Sequence, residues 1–171
     1  MFSRNALLIS GLFALCSMLW GCSSLSVHHL SPKVWNSDNP SRLSLKFWTI
    51  DYSCIRAGNR FEITGTALPR TERFPTWGRW MSEMVITAYV CDPSGKVIAR
   101  KEYSPRPGFF PPAKGILFGF TLNTPKQQDN PSITFGYRMV ILDERPCMDN
   151  DNPLRAKNAQ VFFASQEALR Q

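Results

Sequence analysis

The sequence predicts an all-β protein, an immunoglobulin-like antiparallel β-sandwich of about seven strands. Three observations carry that prediction. Short runs rich in β-branched and aromatic residues recur, several with period-two alternation. Clusters of Pro, Gly, Asn and Asp separate them. No window longer than the last dozen residues holds a 3.6-residue period. The chain has 171 residues, of which 43% are hydrophobic and 19% charged. That is about one domain with enough apolar content for a core, which argues against disorder, collagen and a polytopic membrane protein.

The first strand is expected over 43–52, Leu-Ser-Leu-Lys-Phe-Trp-Thr-Ile-Asp-Tyr, where alternation is imperfect. The second, 60–68, alternates cleanly, with Phe61, Ile63 and Ala67 on one face and Glu62, Thr64 and Thr66 on the other. The third, 83–91, is apolar on both faces and suits a central strand. Asp92-Pro-Ser-Gly95 then reads as a tight turn into the fourth strand, 96–103, because proline presets a central position and glycine tolerates positive φ. The fifth to seventh strands follow at 115–122, 132–142 and 159–165.

Residues 1–21 stand apart as a signal peptide. A short positive start with Arg4 precedes an apolar run, Ala6 to Trp20, whose 15 residues fall short of the roughly 20 that span a bilayer. The run ends in Leu19-Trp20-Gly21-Cys22, which resembles the lipobox of bacterial lipoproteins. The resemblance implies that Cys22 is lipidated and becomes the new N-terminus. Ser23, in place of the aspartate that would retain the protein at the inner membrane, implies outer-membrane anchoring with the body in the periplasm. Acyl chains at about 0.8 kcal/mol per buried methylene would make that attachment lasting. The alternative is a secreted protein with Cys22 in a disulfide. Residues 22–42, rich in Ser, Asn and Pro, read as a flexible tether, and His28-His29 as solvated linker; the sandwich is expected over 43–171.

Phe61-Glu-Ile-Thr-Gly65, with Val85-Ile-Thr-Ala-Tyr-Val-Cys-Asp-Pro-Ser-Gly-Lys-Val-Ile-Ala99, resembles the bacterial immunoglobulin-like domains known as FxLYD. The likeness covers about forty residues. It implies the sandwich fold and carries no catalytic set.

The formal net charge is +7, and removing residues 1–21 takes away only Arg4. Such a balance favours acidic partners, such as anionic lipid head groups, polysaccharide phosphates or an acidic face of an envelope protein, and an exported chain would seldom meet nucleic acid. With Cys16 in the signal and Cys22 on lipid, Cys54, Cys91 and Cys147 remain in an oxidising compartment. No Cys-x-x-Cys or His-Glu-x-x-His motif supports a zinc or redox centre, and no metal or cofactor is expected.

Strands that alternate up and down place their links at two poles. Short links, 53–59, 92–95 and 123–131, share one; the longer links, 69–82, 104–114 and 143–158, share the other. Long connections gathered at one end of a rigid sandwich are where binding usually sits. The long-loop pole carries Arg70, Arg73, Phe74, Trp77, Arg79, Trp80, Arg106, Phe109 and Phe110. Trp and Arg concentrate at binding surfaces; the competing expectation is that the aromatic residues fold back as lids over the core. Strand parity also pairs Cys54 with Cys91 at the short-loop pole, leaves Cys147 as the odd thiol, and makes the tether leave from the arginine-rich pole.

Asp149-Asn-Asp-Asn152 has the alternating oxygens of a calcium loop without its glycine or distal glutamate, and reads as a solvated turn. Both histidines lie in the tether, so a nucleophilic triad has no base. The expected function is therefore binding, as an accessory or recognition module of the cell envelope. The alternative is an envelope hydrolase using surface carboxylates; convergence of Asp51, Asp143 and Glu144 in one cleft would favour it.

Overall fold

The computed structural model describes residues 40–126, 129–146 and 157–164, together with the backbone of Lys33–Val34. Ten strand segments occur among them: β1 (Lys33–Val34), β2 (Ser41–Ser44), β3 (Trp48–Ala57), β4 (Arg60–Pro69), β5 (Trp80–Cys91), β6 (Val97–Tyr103), β7 (Gly108–Phe109), β8 (Ile116–Asn123), β9 (Ser132–Leu142) and β10 (Ala159–Phe163). They form two antiparallel sheets packed as a sandwich. The smaller has the order β2-β3-β4-β8. The larger has β9-β5-β6, with β1 and β10 on the outer side of β9 and β7 beside β5.

All seven predicted strands are present, as β3 (with β2), β4, β5, β6, β8, β9 and β10. Ranked in that order, the fifth lies beside the second, the fourth beside the third, and the sixth between the third and the seventh; about nine strands stand where about seven were expected. Every second residue of β8 points inward: Ile116, Phe118, Phe120 and Leu122 are buried and their neighbours exposed. They meet Phe61 and Ile63 of β4, Trp48 and Ile50 of β3, and Ile86, Phe135, Met139 and Ile141 of the larger sheet in one core. The predicted Asp92 turn is built as expected. Asp92 Oδ1 accepts from the Ser94 amide (2.9 Å) and the Lys96 amide (3.0 Å), and Gly95 adopts φ +79°.

The first predicted strand is in fact two. Leu45, Lys46 and Phe47 break it, with the Leu45 amide donating to the Trp48 carbonyl at 2.7 Å, and β2 folds back on β3 from Ser41↔Tyr52 to Ser44↔Thr49. The predicted link 53–59 is mostly strand: β3 runs on to Ala57, and Gly58-Asn59 is a two-residue hairpin with Gly58 at φ +62°.

The β2–β3 hairpin alters the start of the chain's path through the sheets. β2 starts halfway along β3 and runs toward the long-loop pole, while β1 pairs with Ser132–Ile133 at the opposite end of β9. β1 thus lies at the short-loop end of β9, while residues 22–32, on which the predicted exit of the tether depends, lie outside the described residues. The predicted tether, 22–42, also contributes β1 and the first residues of β2 to the sheets.

The Cys54–Cys91 bridge is a second correction; the structure holds no such bond. Cys54 follows Trp48, Ile50 and Tyr52 on the inner face of β3 and packs against the main core. Inward positions of β5 are Ile86, Ala88 and Val90, so Cys91 points through the other face of its sheet, beside Tyr89, Val97 and Ala164. The two thiols face different layers. Cys22 and Cys147 lie outside the described residues.

Gly65 in β4 marks the closest approach in the core. A Cβ there would stand 2.3 Å from the Asp51 carbonyl oxygen and 2.7 Å from the Phe118 ring, whereas one on Gly119 would meet nothing within 4 Å. Gly65→Ala should therefore lower unfolding free energy by about 2 kcal/mol, and Gly119→Ala should change it by less than about 0.5 kcal/mol, in urea titrations. Burial pushes the Cys91 thiol up to about 12, so at pH 8 only about one molecule in ten thousand carries the thiolate. Native-state alkylation at pH 8 should leave Cys91 unmodified until the protein is unfolded.

Candidate functional site: the long-loop pole

The three long connections meet at one end of the sandwich, as strand parity predicts. The Arg79 amide donates to the Leu142 carbonyl (2.9 Å), the Phe110 amide to the Arg79 carbonyl (2.8 Å) and the Arg70 amide to the Phe47 carbonyl (2.9 Å). These bonds tie the 70–79 segment to β9, to the 104–115 segment and to the β2–β3 turn. A short 3₁₀ turn, Thr71–Arg73, delivers Phe74.

The pole then divides into a lid and a surface. Phe74 is buried and touches Phe47 (5.2 Å between ring centroids), Trp48 (6.1 Å), Phe110 (4.7 Å) and Phe162 (5.3 Å), mostly edge to face. Phe74 and Phe110 therefore close the open end of the core, and half-buried Trp77 packs against the same cluster. Phe109, one residue from Phe110, is 74% exposed. Phe109 ends β7 facing outward, and Phe110, just past the strand, turns into the core.

Phe109 pairs across the strands with Trp80 and meets its ring edge-on at 5.3 Å, and the Arg145 guanidinium lies 5.2 Å from the Trp80 ring centroid. Leu142 flanks Trp80 on the other side. The next rows of this outer face are Val140 opposite Val161, and Arg138 opposite Phe163. Val161 and Phe163 are 44% and 39% exposed. Arg138 is ion-paired with Glu83. The result is a row of apolar side chains on the outer face of the larger sheet, crossed by the Arg138–Glu83 ion pair, with Arg73, Arg79, Arg106 and Arg145 exposed in the loops and chain ends at its upper end.

Of the nine residues predicted to bind, Trp80, Phe109, Arg73, Arg79 and Arg106 lie on the surface; Phe74 and Phe110 are lid, and Trp77 sits between. Arg70 is half-buried, with its Nε donating to Glu72 at 3.1 Å. Arg145, Leu142, Val140, Val161 and Phe163 were missed, because cross-strand register, absent from local sequence, brings them together.

The carboxylates named for a hydrolase do not converge. Asp51 lies on the outer face of the smaller sheet, at a shallow depression of about 390 Å³ with Pro40, Ser53, Thr64, Thr66 and Leu117. There it accepts from Arg42 Nε (2.6 Å) and Nη2 (2.8 Å). Hydrogen bonding from that guanidinium holds the Asp51 carboxyl below its ordinary range, the wrong direction for a general acid. Asp143 stands beyond β9 in the larger sheet, its Oδ2 accepting from the Asn158 amide at 3.0 Å, with exposed Glu144 beside it. Among the described residues, no group of His, Cys, Asp and Glu could hold a metal ion. His28, His29 and the Asp149–Asn152 run lie outside them.

No protein family model, curated protein or solved structure matches the chain. The division of the pole has a direct check. Phe74→Ala should cost about 3–5 kcal/mol of unfolding free energy, and Phe109→Ala less than about 0.5 kcal/mol, both by chemical denaturation.

Proposed function

We propose that the chain is an outer-membrane lipoprotein, anchored through Cys22 and facing the periplasm, whose sandwich works as a binding or accessory module of the cell envelope. The observation that carries the binding reading is Phe109, 74% exposed against Trp80 at the head of a row of apolar side chains, with unburied arginines in the loops and chain ends beside it. Exposed large aromatics on a strand-held scaffold cost little conformational entropy to bury, and arginine beside them selects an acidic rim on the partner.

A partner with an acidic, partly apolar face fits such a surface, and an envelope protein or anionic head groups could supply it.

Two experiments test the parts separately. Cys22→Ser should move the protein from the membrane to the soluble fraction; retention would contradict lipid anchoring. In cells, crosslinking through the pole should yield a discrete adduct that Phe109→Ser with Arg79→Glu abolishes while the unfolding midpoint is unchanged. An adduct indifferent to that variant would remove the binding site. Salt-sensitive binding of the unlipidated chain to anionic vesicles, lost in the same variant, would replace the protein partner with head groups.

A further inference from the structure

Sheet edges decide what else a sandwich can bind, because a row of free backbone N–H and C=O groups is a template for another strand. Other edges of this molecule are blunted. β6 carries exposed Arg100, Lys101 and Glu102 and runs beside β8 at the corner between the sheets, where Tyr103 meets Phe120. β2 is four residues long and carries Arg42.

The outer edge of β10 has no such protection among the described residues. Its five residues, Ala-Gln-Val-Phe-Phe, hold no charge and no proline, and its ladder is to β9 alone. The bonds that bracket the strand fix which groups are free. The Asp143 amide donates to the Asn158 carbonyl (3.2 Å) and the Ala164 amide to the Tyr137 carbonyl (2.9 Å), so the even-numbered residues of this ladder bond to β9. Ala159, Val161 and Phe163 therefore turn their N–H and C=O groups to the open edge. The side chains of Val161 and Phe163, 44% and 39% exposed, lie on the outer face beside Val140 and Arg138.

We propose that an extended segment of a partner protein adds to the larger sheet along this edge, antiparallel to β10, with apolar side chains at every second position and an acidic C-terminal end. Register sets the apolar requirement, because partner residues opposite Val161 and Phe163 share their face and cover them. Charge sets the other. An antiparallel segment rises toward Ala159, where the row Ala159, Leu142, Trp80 reaches the long-loop pole. Arg79, Arg145 and Lys157 are exposed there and take part in no ion pair among the described residues. The neighbouring acids are Glu144 and Asp143, the latter already held by Asn158. The Ala164 bond carries the chain onward along β9, so no immediate turn doubles β10 back on itself. The inference rests on the binding reading of the pole and gives it a mode of recognition.

The probe is a seven-residue peptide of alternating threonine and valine ending in two glutamates, added to the full chain in mild detergent. It should slow hydrogen exchange at the Ala159, Val161 and Phe163 amides about tenfold or more, and the same peptide ending in two lysines should bind about tenfold more weakly at low salt. Val161→Pro deletes one edge-facing N–H without touching the β9 ladder. It should abolish the protection of Ala159 and Phe163 and lower the yield of the in-cell adduct about tenfold, with an unchanged far-ultraviolet spectrum. If that variant unfolds, the peptide's exchange footprint on the parent decides. An adduct that survives in folded Val161→Pro yet is lost in Phe109→Ser with Arg79→Glu would overturn strand addition and leave the binding reading standing. Exchange at β10 indifferent to the peptide, or edge amides protected without it until residues 165–171 are removed, would also overturn the proposal.

Discussion

Closure of the sandwich at its long-loop end rests on one side chain. Two packed sheets leave an open mouth wherever connections are long. Here Phe74, delivered by the Thr71–Arg73 turn, fills it against Phe47, Trp48, Phe110 and Phe162. Those rings come from three separate stretches of chain, so the phenylalanine holds its own 70–79 segment, the β2–β3 turn, the 104–115 segment and β10 in fixed relation. Once Phe74 and Phe110 occupy the mouth, the pleat directs Phe109 and Trp80 outward. The binding surface is a consequence of how the core is sealed.

The same pleat explains the cysteines. Residues 88 and 90 of β5 belong to the inner layer, which commits Tyr89 and Cys91 to the outer one. Cys91 is nonetheless fully buried, and the cause of its raised pKa is desolvation before any charge. It behaves as a small apolar side chain and offers no reactive thiol.

Much of the fold was legible because its signals are local. Clean alternation in 60–68, the Asp92–Gly95 turn and the apolar run 83–91 each specify an element without distant neighbours, and strand parity then correctly gathered the long loops at one pole. What was not legible depended on a short break or on register. Nothing in Leu43–Tyr52 announces the reversal at Leu45–Phe47, so one predicted strand is in fact two. Gly58-Asn59 was a readable hairpin signal inside a segment taken for loop, and reading it would have kept Cys54 in a strand. At the site, composition singled out Phe74, Trp80, Phe109 and Phe110 alike. Residue type cannot separate a lid from a surface, and Phe109-Phe110 lay in a segment read as a link, where strand alternation gives no guide. Arg145, Val161 and Phe163 had no local cue.

The central claim is that the pole's aromatic residues divide into a buried lid and an exposed surface. Hydroxyl-radical footprinting of the purified chain, read residue by residue by mass spectrometry, measures that division directly. The account predicts rapid oxidation of Phe109, slower oxidation of half-buried Trp80, and protection of Phe74 and Phe110 until the protein unfolds. Oxidation of Phe74 at the rate of Phe109, or protection of Phe109 in the isolated protein, would contradict it.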